Sequence, residues 1–591
     1  MSRWLSRSVI SCFLLIIPSI ATAQNLAGNS AKTETPEPAI RKKSFALIES
    51  ISGQIGNLQS PANRINVECT VADLLWTGDE KRARALFKSA SAELGSLVAT
   101  IDVGDQQAYQ EVSSFNQQRQ QVIDRVARHD PELALSILRE TRLLPADPDS
   151  RSNWISTNEN NLELHLATLI ARQDPARALK LAHQSLAGGV SYPIIGFLNE
   201  LQQKDPRSAQ ALYREMVDRI KTEDLAQNQE LANAAWNLLW FQPPQANEDT
   251  YRDLITTLTD AALTIRPNSQ TNVNLAQNLY NEFRSQAQQI EKYAPDRAMA
   301  MREWSDSVEP TFDPSTRMYR EMEQVNQNGT VDDVLALAQK YPGDLRSQIY
   351  QNAAWKAFST DPNRARQIVS ELISDPVQKR QMLEQFDNQA LNNAANADQM
   401  AEARSLMNKL RNPDRKIQVL VQFANRLAAK NDKKGALNLL DEARALVTSM
   451  PGSSTQISSQ IQLAHAYAAL DLDQSFALVH PLVAKTNDLI AAAAVLDGFE
   501  NRYLKDGEWM TPGMSGLANT VVSLNQCLVY LARLDFDRAL ALANLFERPE
   551  VRLMAQLGIA EAALSINGND LPINASRISF SGGVGIVIDK E

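Results

Sequence analysis

The chain has 591 residues, 44% of them hydrophobic and 22% charged, with 22 Gly, 25 Pro and 3 Cys. That apolar content excludes wholesale disorder, the low Gly excludes collagen-like character, and three cysteines exclude a disulfide-stapled scaffold or a multi-cysteine metal centre. A formal charge of −10, from 59 basic and 69 acidic residues, argues against nucleic acid as the main partner.

Arg3 and Arg7 precede an apolar run from Val9 to Ile17, and Ala21-Thr22-Ala23 supplies a small-x-small cleavage pattern. Residues 1–23 therefore read as a signal peptide, which places the mature protein in the periplasm or outside the cell. The run is shorter than the ~20 residues a membrane helix needs, and no later stretch replaces it, so no stable membrane insertion is expected. Residues 24–43 are polar, carry Pro36 and Pro38, and read as a flexible linker.

From 44 to about 575 the apolar residues recur at helical spacing. One short pattern repeats: Asp, three residues, Ala, and an aliphatic residue three places on. It stands at Asp79/Ala83, Asp130/Ala134, Asp174/Ala178, Asp205/Ala209, Asp361/Ala365, Asp432/Ala436, Asp473/Ala477 and Asp535/Ala539. An Asp at this place caps the free N–H groups of a helix and complements its dipole. Pro131, Pro175, Pro206 and Pro362 follow four of them, at the one helical position where Pro costs no hydrogen bond. The Ala one turn later admits a close neighbour.

Aligned on that Ala, the position three residues later is aliphatic except at His480. The position eight before it is apolar throughout, and the position twelve before it is interrupted by His465. Each unit is a helix with an apolar stripe, a tight turn ending in the cap, and a second striped helix. Neither stripe can be buried alone, so successive hairpins must stack. The fold expected is all-α: an α/α superhelix, or solenoid, of antiparallel helix hairpins.

The unit resembles the tetratricopeptide repeat. The copy at 417–450 carries it best, with Ala424 in the first helix, Asn431-Asp432 at the turn, then Ala436, Leu440 and Ala443. The anchoring alanines are unevenly spaced, so the 210–360 region is expected to hold degenerate units, including Leu231–Trp240 and Arg297–Trp304. The resemblance implies peptide or protein partners.

Sub-breaks are expected near 145–153, 243–249 and 309–315, where Pro or Gly joins polar residues. The loop Lys505–Gly516 sets Trp509 and Met510 between Gly and Pro, a candidate partner contact against the alternative that Trp509 folds back onto the repeats. Residues 576–591 change to β-type runs around Gly582-Gly583. This short hairpin either caps the last helices or adds to a partner's sheet edge, with Phe580 and Ile586 as its candidate contacts.

Chemistry-bearing residues are sparse. His129 precedes a cap, and His165 and His183 have no carboxylate or thiol at metal-ligand spacing. His465 and His480 are expected at helix interfaces, and His480-Pro481 is expected to kink its helix. Cys69 and Cys527 are read as free thiols, and Trp236, Trp240 and Trp355 as core. No nucleophile elbow, phosphate loop or His-Glu metal motif occurs, so no catalytic, cofactor or metal residue is assigned. The leading expectation is an exported, non-enzymatic scaffold for protein–protein contacts in cell-envelope assembly or secretion. Its rivals are a solenoid enzyme acting on envelope polysaccharide and a structural protein without a specific ligand.

Overall fold

The computed structural model describes residues 38–564 except 102–107, 144–153, 187–192, 226–228, 244, 267–269, 398, 411, 449, 501–502 and 510–515. Among the described residues twenty-six α-helices, numbered along the chain, form two layers. The first-helix layer holds α2 (Pro61–Leu75), α4 (Ala108–Ala127), α6 (Trp154–Ala171), α8 (Ile194–Lys204), α10 (Gln229–Asn237), α12 (Gln270–Tyr293), α14 (Pro314–Asn328), α16 (Gly343–Phe358), α18 (Pro376–Asn396), α20 (Pro413–Ala429), α22 (Ser454–Ala468), α24 (Gly516–Ala532) and α26 (Pro549–Leu564). The second-helix layer holds α1 (Pro38–Ser52), α3 (Glu80–Val98), α5 (Pro131–Glu140), α7 (Pro175–Leu186), α9 (Pro206–Ile220), α11 (Glu248–Thr264), α13 (Pro295–Val308), α15 (Val331–Leu337), α17 (Pro362–Leu372), α19 (Met400–Lys409), α21 (Lys433–Ala445), α23 (Leu472–Glu500) and α25 (Phe536–Ala543). The protein is an all-α helical-repeat superhelix.

Seven of the eight expected Asp residues cap as read. Asp79, Asp130, Asp174, Asp205, Asp361, Asp432 and Asp535 each accept a main-chain N–H from the first turn of their helix. The seven partner alanines are fully buried. The eighth unit is corrected: Asp471, not Asp473, accepts from Gln474 N at 3.1 Å, which makes Ser475 the buried anchor. Leu463, Tyr467 and Leu478 then fill the apolar positions, and His480 points outward. His465 packs against Tyr530, with ring centroids 4.9 Å apart. α23 continues through Pro481.

The units missing from the pattern are capped by other residues. Asn247 caps α11, and Thr330 with Asp333 forms a capping box on α15. Ala294 and Gln399 stand at the N-caps of α13 and α19 without side-chain capping. Tyr251, Ala298, Val334 and Ala403 are the corresponding buried anchors. Leu231–Trp240 falls on α10 and the 3-10 turn after it, and Arg297–Trp304 on α13.

The ends meet. α26 is the last helix among the described residues, and α1 packs along it as the second helix of that hairpin. In the second layer α1 lies between α25 and α3, joined by Lys43–Asp537 at 2.6 Å and by an Arg82–Glu49 ion pair. In the first layer α26 lies between α24 and α2. One hydrophobic core accordingly joins Ile48–Phe312 to Leu391–Ala563 across this seam, while α14–α18 have two smaller cores of their own. The solenoid is a closed ring of thirteen hairpins, thirteen helices per layer as enumerated above.

This closure corrects the end of the 24–43 linker, because 38–43 is helical. Pro38 opens α1, and Ile40, Ser44, Leu47, Ile48 and Ile51 make its inward stripe. Full burial of Ile48 and Ile51 stabilises the seam by about 1.5–3 kcal/mol each.

A β-hairpin fastens the seam. β1 (Leu504–Lys505) pairs antiparallel with β2 (Glu508–Trp509). Asp506 and Gly507 have φ of 53° and 76°, the left-handed pair of a two-residue hairpin turn. The Glu508 carboxylate accepts from Gln59 N at 2.6 Å, Ser60 N at 3.1 Å and Asn63 Nδ2 at 2.9 Å, at the N-terminus of α2. Trp509 N donates to Glu550 Oε1 of α26 at 2.7 Å. Trp509 is fully buried and stacked on Tyr503 at 5.9 Å, so it is an internal contact and not a surface for a partner. Met510, Phe580, Ile586 and all of 576–591 lie outside the described residues, as do residues 1–23 and the expected break at 145–153.

Candidate functional site: an amide trough on the inner layer

Four of the five first helices in the arc α4–α12, all but α8, have two unlike faces. The apolar stripe meets the second layer, and the opposite face carries amides at helical spacing: Asn116, Gln117 and Gln120 on α4, Asn158 and Asn161 on α6, Asn233 and Asn237 on α10, Asn278 and Asn281 on α12. Asn is a poor helix former, and these helices are held by tertiary packing. Asn161 is shared by two adjoining depressions of about 400 and 570 Å³. The second is lined by both α6 and α12, three steps apart around the layer. Only a concave face brings such separated helices to one depression, so this layer is the inner one along this arc.

The trough is short of charge and of aromatic rings. Leu162, Pro193 and Ala234 give it apolar points. Its lining contains one carboxylate, Glu282, whose burial raises its pKa above the ordinary range. At the other end is one imidazole, His165, whose Nε2 lies 2.6 Å from Asp124 Oδ1; that hydrogen bond raises its pKa. Both polar atoms of Asn116 and Oδ1 of Asn161 are buried with no hydrogen-bond partner in the protein. Those atoms are enclosed by the protein; the amides exposed at the trough itself are Asn233, Asn278 and Asn281.

The other residues singled out in sequence do not gather here. His129 Nε2 is 2.5 Å from Asp73 Oδ1, and its ring stacks on Trp76. His183 pairs with Glu215 at 3.3 Å. Among the described residues no three His, Cys, Asp or Glu side chains converge as metal ligands would. Cys69 and Cys527 are buried free thiols, and burial pushes both up to about 12. Trp236 is core, but Trp240 is 57% exposed, and Trp355 is 38% exposed with its ring edge-on to Phe386 at 4.8 Å. No described helix is long and apolar enough to cross a membrane. The amide faces were overlooked in sequence because Asn and Gln read as ordinary solvated polarity. Their signal is recurrence on the same face of successive first helices.

No family model matches the chain, and no curated protein matches it. Among solved structures it is similar to a circular tandem repeat protein with novel repeat topology and enhanced subunit contact surfaces. There the identity is 12%, with 89% of this chain and 99% of that chain covered and a TM-score of 0.21. It is also similar to yeast Tom70, at 15% identity, 88% and 96% coverage and a TM-score of 0.17. At these scores the architecture rests on the packing of this chain's own helices.

Proposed function

We infer that the protein is an exported, non-enzymatic, tetratricopeptide-like scaffold that holds polypeptide segments against the inner face of its ring, in cell-envelope assembly or secretion. The observation that carries this reading is the amide trough. An Asn or Gln side chain presents a donor and an acceptor in one plane, as a peptide group does, so it pairs with an extended main chain of almost any sequence. Saccharide recognition favours aromatic faces, and phosphate recognition favours Arg; the trough lining has neither. Export is supported by the N-terminal charge, apolar run and cleavage pattern.

The test is photo-crosslinking in the native host, with p-benzoylphenylalanine at Asn233 in the trough and, as control, at Lys180 on the second layer. Discrete protein adducts from position 233 and none from 180 are expected, in the envelope fraction, on a chain beginning at Gln24. Equal adducts from both positions, or turnover of envelope polysaccharide by the purified protein, would overturn it.

A further inference from the structure

We propose that the trough has an occupant within the same chain: residues 577–590 (RISFSGGVGIVIDK), lying extended across α6, α10 and α12. This rests on the polypeptide-binding reading above and names its ligand. Three observations carry it.

The first is chemical fit. Gly582, Gly583 and Gly585 leave the main chain bare to side-chain amides, while Ile578, Phe580, Val584 and Ile586 match the apolar points Leu162, Pro193 and Ala234. A β-type segment carries a row of unpaired main-chain N–H and C=O groups. The trough offers a complementary row in the exposed amides Asn233, Asn278 and Asn281.

The second is charge. The trough contains one carboxylate, Glu282, and the segment contains one cation before its final Lys590, namely Arg577. Burial destabilises a lone carboxylate, and an arriving guanidinium relieves that cost.

The third is reach. α26 is a first-layer helix, and the chain continues from its end at Leu564 through residues 565–591. Of these, residues 565–576 tether the segment, and at ~3.3 Å per residue they let Arg577 reach about 43 Å from Leu564. Thirteen first helices at about 9–10 Å spacing enclose a space on the order of 40 Å across. The tether just spans that width, so Arg577 can reach the α6–α12 arc. An external polypeptide would then have to displace this segment, which makes binding competitive.

The experiment installs p-benzoylphenylalanine at Phe580 of the full mature chain, irradiates the purified protein, and maps crosslinks by peptide mass spectrometry. Intrachain crosslinks to peptides of α6, α10 or α12 are expected. They should fall at least fivefold in an Asn161→Leu/Asn278→Leu background, and separately with Arg577→Glu, at unchanged melting temperature. Crosslinks to another surface, crosslinks between two copies, or no crosslink would each overturn the assignment. If position 580 crosslinks elsewhere while position 233 still captures host proteins, the scaffold reading stands and this occupant is wrong. If position 580 reaches the trough but no host protein is captured, the occupant stands and the scaffold reading fails.

Discussion

Glu508 and Asn63 are 445 positions apart in the chain and 2.9 Å apart in space. The same carboxylate covers two main-chain N–H groups ahead of α2. The last quarter of the chain thereby supplies the acceptor for the segment that leads into α2.

Removal of that acceptor exposes the seam. Glu508→Ala leaves buried donors unpaired and is expected to destabilise the protein by about 2–4 kcal/mol. Hydrogen exchange should rise first in α1, α2 and α26, and much less in α20–α22, because the loss is local to the junction.

A buried ion pair fixes the start of the arc that carries the trough. Arg119 of α4 holds Glu159 of α6 by two bonds, at 2.5 and 2.9 Å, and also donates to Thr141 Oγ1 and Leu138 O. Glu159→Ala strands a buried guanidinium, and urea denaturation should show a loss of about 3–5 kcal/mol.

His165 gives the trough a pH dependence. Its bond to Asp124 raises its folded pKa above the ordinary value of 6.5. The stabilisation is therefore fully present below 6.5 and is lost as pH rises through the higher folded value. The gap in urea midpoint between the native protein and His165→Gln should be widest near pH 5.5 and should close by pH 9.

Burial makes Cys69 and Cys527 inert. Thiol titration at pH 8 should detect neither Cys69 nor Cys527 in the folded protein, and both in denaturant without reductant.

What the sequence made legible was local. An Asp cap, a buried Ala and a stripe are decided within a dozen residues, so Asp79/Ala83 and its counterparts read correctly. The unit at Asp471 was misaligned because Asp473, two residues on, offers the same spacing; Tyr467 and Ser475 were the better guide. Units capped by Asn247 or Thr330 escaped a search for Asp. The hairpin at 504–509 had a signal that was passed over, since Asp506-Gly507 is a strong two-residue turn pair. The closure had none. Contacts such as Lys43–Asp537 depend on the summed curvature of thirteen hairpins, which no short stretch of residues encodes.

The ring is tested most directly by the distance between spin labels at Lys43→Cys and Asp537→Cys, measured by double electron–electron resonance with Cys69 and Cys527 replaced by alanine. The closed ring predicts one narrow distribution below about 25 Å, since these side chains touch in the fold. An open solenoid with hairpins spaced about 9–10 Å apart would separate them by up to about 120 Å. A broad distribution beyond about 50 Å, or no resolvable short distance, would contradict the closure.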